Sequence, residues 1–85
     1  MKYASLQIIH DMLVRADQLA LEEYRDINER TQQLEKEIYN SRTNVERMMQ
    51  LDSEIQQSEK EKEAAYSRKN AIRSALEDFE SFDWR

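Results

Sequence analysis

The chain contains no glycine and no proline in its 85 residues, and this absence limits its fold more than any other feature. These two residue types supply most tight turns and helix ends, so β-hairpins and loop-rich folds are disfavoured. Strong helix formers, chiefly Glu, Gln, Arg, Lys, Leu and Ala, make up most of the sequence. The chain is short enough for one domain, residues 1–85. We therefore predict a single all-α domain.

Apolar residues in the first half follow a heptad spacing, which predicts a helix with one apolar seam. The steps of three and four residues require one extra step of four after Ala20, which predicts a stutter there. This seam comprises Leu6, Ile9, Leu13, Ala16, Ala20, Tyr24, Ile27, Thr31, Leu34, Ile38, Ser41, Val45 and Met48. A second seam starts at Leu51 and Ile55, fades, and returns at Ala65, Ile72, Leu76 and Phe79. The pattern is typical of two long helices of coiled-coil type.

The segment 40–44, Asn-Ser-Arg-Thr-Asn, is the best candidate for a fold-back, because these side chains compete for backbone hydrogen bonds and favour helix caps. Thr43 and Glu46 have capping-box spacing. We predict helix 1 at about 4–39, a turn at about 40–44, helix 2 at about 45–80 and an aromatic, acidic end at 79–85. This antiparallel helical hairpin would pair residues whose numbers add up to 82 or 83. A continuous helix in a parallel dimer and a three-helix bundle are the alternatives.

Residues 1–21 carry more apolar side chains than one seam can use, so we expect a second protein surface to cover them. The hypothesis is a homodimer or homo-oligomer in which two hairpins form a four-helix bundle. The alternative is that helix 2 covers this surface alone. The candidate interface residues are Leu6, Ile8, Ile9, Met12, Leu13, Leu19, Phe79, Phe82 and Trp84.

The C-terminal aromatics have two interpretations. Phe79, Phe82 and Trp84 alternate with acidic residues, and large aromatic side chains anchor many protein interfaces. They could instead fold over Tyr3 and Leu6 and close the open end of the hairpin. The sequence favours closure.

Charge and composition narrow the functional classes. The net charge is −5, and an acidic surface repels phosphate backbones, so nucleic acid is not expected as a partner. The most apolar stretch is interrupted by charges, so we expect neither a membrane span nor a signal peptide. There is no cysteine, and His10 is the only histidine, which we interpret as a solvent-facing residue. We expect a cytoplasmic protein without cofactor or metal that is not an enzyme.

Two short patterns resemble known families. The acidic residues Glu22, Glu23, Asp26 and Glu29 are similar to those of the MazG-type nucleotide pyrophosphohydrolases, and this resemblance implies a Mg²⁺-dependent hydrolase. The only further acidic pair of matching spacing is Glu80 with Asp83, far along the chain. The sequence Phe79-x-x-x-Asp83 resembles the export signal of the small helical-hairpin proteins secreted by type VII systems. That group carries Trp-x-Gly in its turn, and this chain has no glycine.

The leading hypothesis is a small helical protein that acts through protein–protein contact, as an adaptor, an assembly factor or an inhibitor. The alternative from composition is an acidic helical mimic that occupies a nucleic-acid-binding protein. Export by a type VII system and metal-dependent hydrolysis follow only from the two resemblances.

Overall fold

Two long helices make up the hairpin. The computed structural model describes residues 2–82, and side chains from Ser5 to Phe82. Helix α1 is Lys2–Asn40 and helix α2 is Val45–Ser81, and residues 2–82 contain no strand. The helices pack side by side into a rod of 65 × 14 × 13 Å. The predicted all-α class and the extended helical hairpin are confirmed.

The connection between the helices reverses the chain without glycine. Ser41 N–H donates to the Ile38 carbonyl at 3.2 Å, and Asn44 N–H donates to the Ser41 carbonyl at 3.0 Å. These bonds continue the winding for about one turn beyond α1. Asn44 then leaves helical geometry at φ −114° and ψ 97°, and its side chain accepts from Arg47 N–H. Asn44 is thus the N-cap of α2, so the predicted capping pair of Thr43 and Glu46 is wrong by one residue.

The α1 seam runs without a stutter. Buried or half-buried side chains follow alternating steps of four and three from Leu6 to Ser41, namely Leu6, His10, Leu13, Asp17, Ala20, Tyr24, Ile27, Thr31, Leu34, Ile38 and Ser41. Val14, Ala16, Leu21 and Asn28, which border this seam, are also half-buried. The predicted stutter is wrong because the seam takes His10 and Asp17 in place of Ile9 and Ala16. His10 Nε2 lies 3.0 Å from Glu80 Oε2, and Asp17 Oδ2 lies 3.4 Å from Arg73 Nη2. A hydrogen bond between His10 and Glu80 and an ion pair between Asp17 and Arg73 therefore stabilise the two polar residues at these seam positions.

The α2 seam is also continuous. It comprises Met48, Leu51, Ile55, Ser58, Lys62, Ala65, Lys69, Ile72, Leu76 and Phe79, all of them buried or half-buried. The stretch where the apolar pattern fades is filled by Ser58, Lys62 and Lys69. A strict heptad spacing thus extends along both helices, although several of its positions are polar.

Two contacts between seam residues fix the register. The hydroxyl oxygens of Thr31 and Ser58 lie 2.5 Å apart. The rings of His10 and Phe79 stack with their centroids 5.9 Å apart. In both pairs the residue numbers add up to 89, so the predicted sum of 82 or 83 is wrong. Relative to the predicted register, α2 is shifted along α1 by about 10 Å at ~1.5 Å per residue. This shift arises because the chain winds for one extra turn after Asn40, so it reverses direction nearer to Asn44.

The core between the helices is narrow and partly polar. Its buried apolar residues are Ala20, Leu51, Ala65 and Leu76, and its buried polar residues are Asp17, Thr31 and Ser58. Ion pairs border one side of the seam, joining Glu23 to Arg68, Arg30 to Glu61 and Glu37 to Arg47. The hydrogen bond from Arg47 to Glu37 raises the pKa of Arg47 above its usual value. Among the described side chains, two of the four buried apolar residues are alanines, which leaves little apolar burial to stabilise the hairpin.

The buried hydroxyl pair makes a prediction about stability. Thr31→Val leaves the Ser58 hydroxyl buried without this partner, and it should lower the free energy of unfolding by about 1–2 kcal/mol. The double variant Thr31→Val with Ser58→Ala removes both hydroxyls and should recover most of that loss. Urea denaturation measures both, with the exposed Ser74→Ala as a control. A double variant no more stable than the single one would contradict the predicted role of this pair.

Candidate functional site

A stripe of apolar side chains on α1 has no cover from α2. Ile8, Met12 and Leu19 are 60%, 65% and 56% exposed. Relative to the seam that contains His10, Leu13 and Asp17, they occupy heptad positions c and f, which lie on the side of a helix away from its partner. The spacing of the α1 seam therefore turns this stripe toward solvent along the first half of α1.

Helix α2 continues this surface at the open end of the hairpin. The ion pair of Glu23 and Arg68 joins positions at one edge of the seam whose numbers add up to 91. The same register puts Ile9 level with Phe82, the C-cap of α2, and Ala16 level with Ala75 on that side of the rod. Ile9 and Phe82 are 44% and 70% exposed. We name this surface the open-end face, and it comprises Ile8, Ile9, Met12, Ala16, Leu19, Ala75 and Phe82.

The area of the open-end face is large for so small a protein. At about 200 Å² for each large apolar residue, the exposed fractions amount to roughly 600 Å². The largest apolar patch on a typical monomer is about 300–600 Å², and one side of a standard stable interface buries about 800 Å². The alanines of this face add to the area. The face thus has about the size that a protein contact requires.

The candidate interface residues fall into two groups. Ile8, Ile9, Met12, Leu19 and Phe82 are exposed and belong to the open-end face. Leu6, Leu13 and Phe79 instead lie on the seam between the helices, where they are half-buried. Trp84 lies outside the described residues. A heptad count that allowed polar residues at seam positions could have distinguished the exposed candidates from those on the seam.

The seam also accounts for His10 and for part of the C-terminal cluster. The His10 side chain is 12% exposed and stacks on Phe79, so the interpretation of His10 as a solvent-facing residue is wrong. Phe79 closes on α1 through His10, whereas Phe82 stays 70% exposed. The side chains of Tyr3 and Trp84 lie outside the described region. The sequence predicts that the C-terminal aromatic residues pack over the open end of the hairpin. The structure therefore describes this packing only for Phe79.

A second cluster, which sequence reasoning missed, lies midway along the rod. The rings of Tyr24 and Tyr66 lie 5.7 Å apart, and Lys69 Nζ lies 5.6 Å and 4.9 Å from their centroids. A shallow groove beside them is lined also by Glu59, Lys62 and Glu63. Cation–π contact stabilises a lysine at a seam position. The signal in the sequence was Tyr24 and Lys69 at seam spacing on separate helices.

The acidic cluster on α1 does not form a metal centre in the described residues. Glu22, Glu23, Asp26 and Glu29 are exposed, and Glu23 pairs with Arg68. Within residues 2–82, no group of three acidic or histidine side chains is placed to hold a metal ion. Asp83, which belongs to both family resemblances, lies outside this region.

Comparison with known proteins identifies no relative: no family model, no curated protein and no solved structure matches this chain. In the part of the chain that the structure describes, neither helix has a stretch long and apolar enough to cross a bilayer.

Seam and surface leucines should differ sharply in their contribution to stability. Leu76 is 4% exposed, so Leu76→Ala should lower the free energy of unfolding by about 2–4 kcal/mol. Leu19 is 56% exposed, so Leu19→Ala should change it by less than about 0.5 kcal/mol when the chain is dilute enough to be monomeric. Thermal denaturation at low concentration measures both. Equal losses would show that Leu19 packs inside the hairpin.

Proposed function

We propose that the protein is a small cytoplasmic interaction module that acts through protein–protein contact. An adaptor, an assembly factor or an inhibitor would each use such a module. The observation that carries the proposal is the concentration of exposed apolar side chains at one end and on one side of the rod. Ile8, Met12 and Phe82 are each at least 60% exposed there.

The first partner that we propose is a second copy of the chain. The narrow core of the hairpin supports this, because two alanines and three polar residues occupy buried positions. Pairing two open-end faces would bury about 1,200 Å² of apolar surface, the lower limit of specific stable interfaces. The resulting four-helix bundle would be a homodimer.

The alternative of an acidic mimic of nucleic acid has less support. Glu23, Glu37 and Glu61 each pair with an arginine of the other helix. These pairs partly neutralise the acidic side chains that a basic groove would recognise. These three carboxylates are therefore better explained as contacts between the two helices of the hairpin.

Acidic substitutions in the open-end face test the proposal. Ile8→Glu with Leu19→Glu would introduce unpaired charges into the buried contact, so the protein should sediment as a monomer at concentrations where the unmodified chain is dimeric. Helicity by circular dichroism should be unchanged, since both side chains are exposed in the hairpin.

The matched control lies at the other end of the rod. Val45 and Met49 are 68% and 67% exposed, so Val45→Glu with Met49→Glu makes the same chemical change near the turn. This variant should remain dimeric. The proposed homodimer would be overturned if the unmodified chain were monomeric at micromolar concentration. Equal loss of association in both variants would also overturn it.

A further inference from the structure

We propose that two chains join by antiparallel overlap of their α1 helices at the open-end face, which leaves the two turns at opposite ends of one long rod. This inference rests on the proposed function, since it specifies how the second copy binds.

The spacing of the stripe supports a two-fold contact of this kind. In the antiparallel arrangement, residues whose numbers add up to about 27 face each other. Ile8 then faces the second copy's Leu19, and Met12 lies over its Ala16 and the aliphatic part of Arg15. Each contact occurs twice, once from each copy, as a two-fold interface requires. The apolar residues of the stripe therefore pair with one another in both copies at once.

Charge distinguishes this arrangement from a parallel one. A parallel overlap would also align the apolar residues, but it would set Arg15 against Arg15 and Glu22 against Glu22 of the second copy. Like charges directly opposed destabilise helix pairs. The antiparallel overlap moves Glu22 to the level of Ser5 and brings Arg15 within one turn of Asp11, which carries the opposite charge. The helix dipoles of the two α1 helices also oppose each other favourably.

The exposed Phe82 is explained by the same arrangement. Phe82 is 70% exposed and follows α2 at the end of the rod where α1 begins. An overlap confined to the first part of α1 places the open end of each hairpin beside the other chain. Phe82 can then cover part of the second copy's α1, which a contact near the turn would not allow.

The shape of the assembly follows from the overlap. With the two-fold axis near residue 14, each turn lies roughly 45 Å from the axis at ~1.5 Å per residue. The antiparallel dimer should therefore be about 90 Å long, whereas a parallel dimer should keep the 65 Å length of the hairpin. Small-angle scattering of the unmodified chain measures this length without any substitution.

Disulfide formation tests the pairing itself, because the chain has no cysteine and each variant carries a single thiol. Ile8→Cys and Leu19→Cys chains, one of them mass-tagged, are mixed and mildly oxidised. The mixed disulfide should exceed either same-variant disulfide by about tenfold or more. Two copies of position 8 would lie about 16 Å apart along the axis, beyond the ~4.4–6.8 Å between Cα atoms that a disulfide spans.

The outcomes separate this inference from the proposed function. Val45→Cys lies outside the overlap and should form no interchain disulfide under the same conditions. Same-variant disulfides with a 65 Å particle would overturn the antiparallel arrangement and leave self-association intact. A dimer without any of these disulfides would overturn the choice of the open-end face. A monomer in scattering and sedimentation would overturn the inference together with the proposed homodimer.

Discussion

The pairing of polar seam residues across the hairpin determines the register of the two helices. Thr31 and Ser58 are each 2% exposed, and buried hydroxyls destabilise a fold unless each has a hydrogen-bonding partner. Thr31 also donates to the Ile27 carbonyl at 2.8 Å. A sliding of one helix by a single turn would separate the two hydroxyls and place Ile55 or Lys62 opposite Thr31. Polar pairing thus selects one register where apolar burial alone would tolerate several.

That register has a consequence for the surface. With His10 and Asp17 on the seam, Ile9 moves to its edge and Met12 and Leu19 move to the solvent-facing side of α1. Had Ile9 and Ala16 occupied the seam, the stripe would have rotated toward α2. The apolar residues that make the open-end face are therefore exposed because polar residues occupy seam positions beside them. Polar residues are buried and apolar ones exposed along the same stretch of helix, and the proposed protein contact rests on this combination.

The sequence was sufficient for the helices and insufficient for their pairing. Composition and heptad spacing predict all-α structure and a fold-back near residues 40–44, because both depend on local preferences. The register depended on the extra turn after Asn40, which no apolar pattern indicates. His10 and Asp17 were missed because a count of apolar residues assigns Ile9 and Ala16 to the seam. Of the candidate interface residues that the sequence predicts, Met12 and Leu19 are exposed. Leu13 and Phe79 instead lie half-buried on the seam.

The positions of the seam and of the open-end face both depend on the register of the two helices. Disulfide trapping within one chain measures this register most directly. Two double variants would be compared under mild oxidation, Thr31→Cys with Ser58→Cys and Thr31→Cys with Leu51→Cys. The observed register predicts rapid formation of an intrachain disulfide in the first variant and little in the second, because Leu51 lies seven residues away from Ser58 along α2, about 10 Å at ~1.5 Å per residue. Rapid closure of the second variant with none in the first would contradict the account.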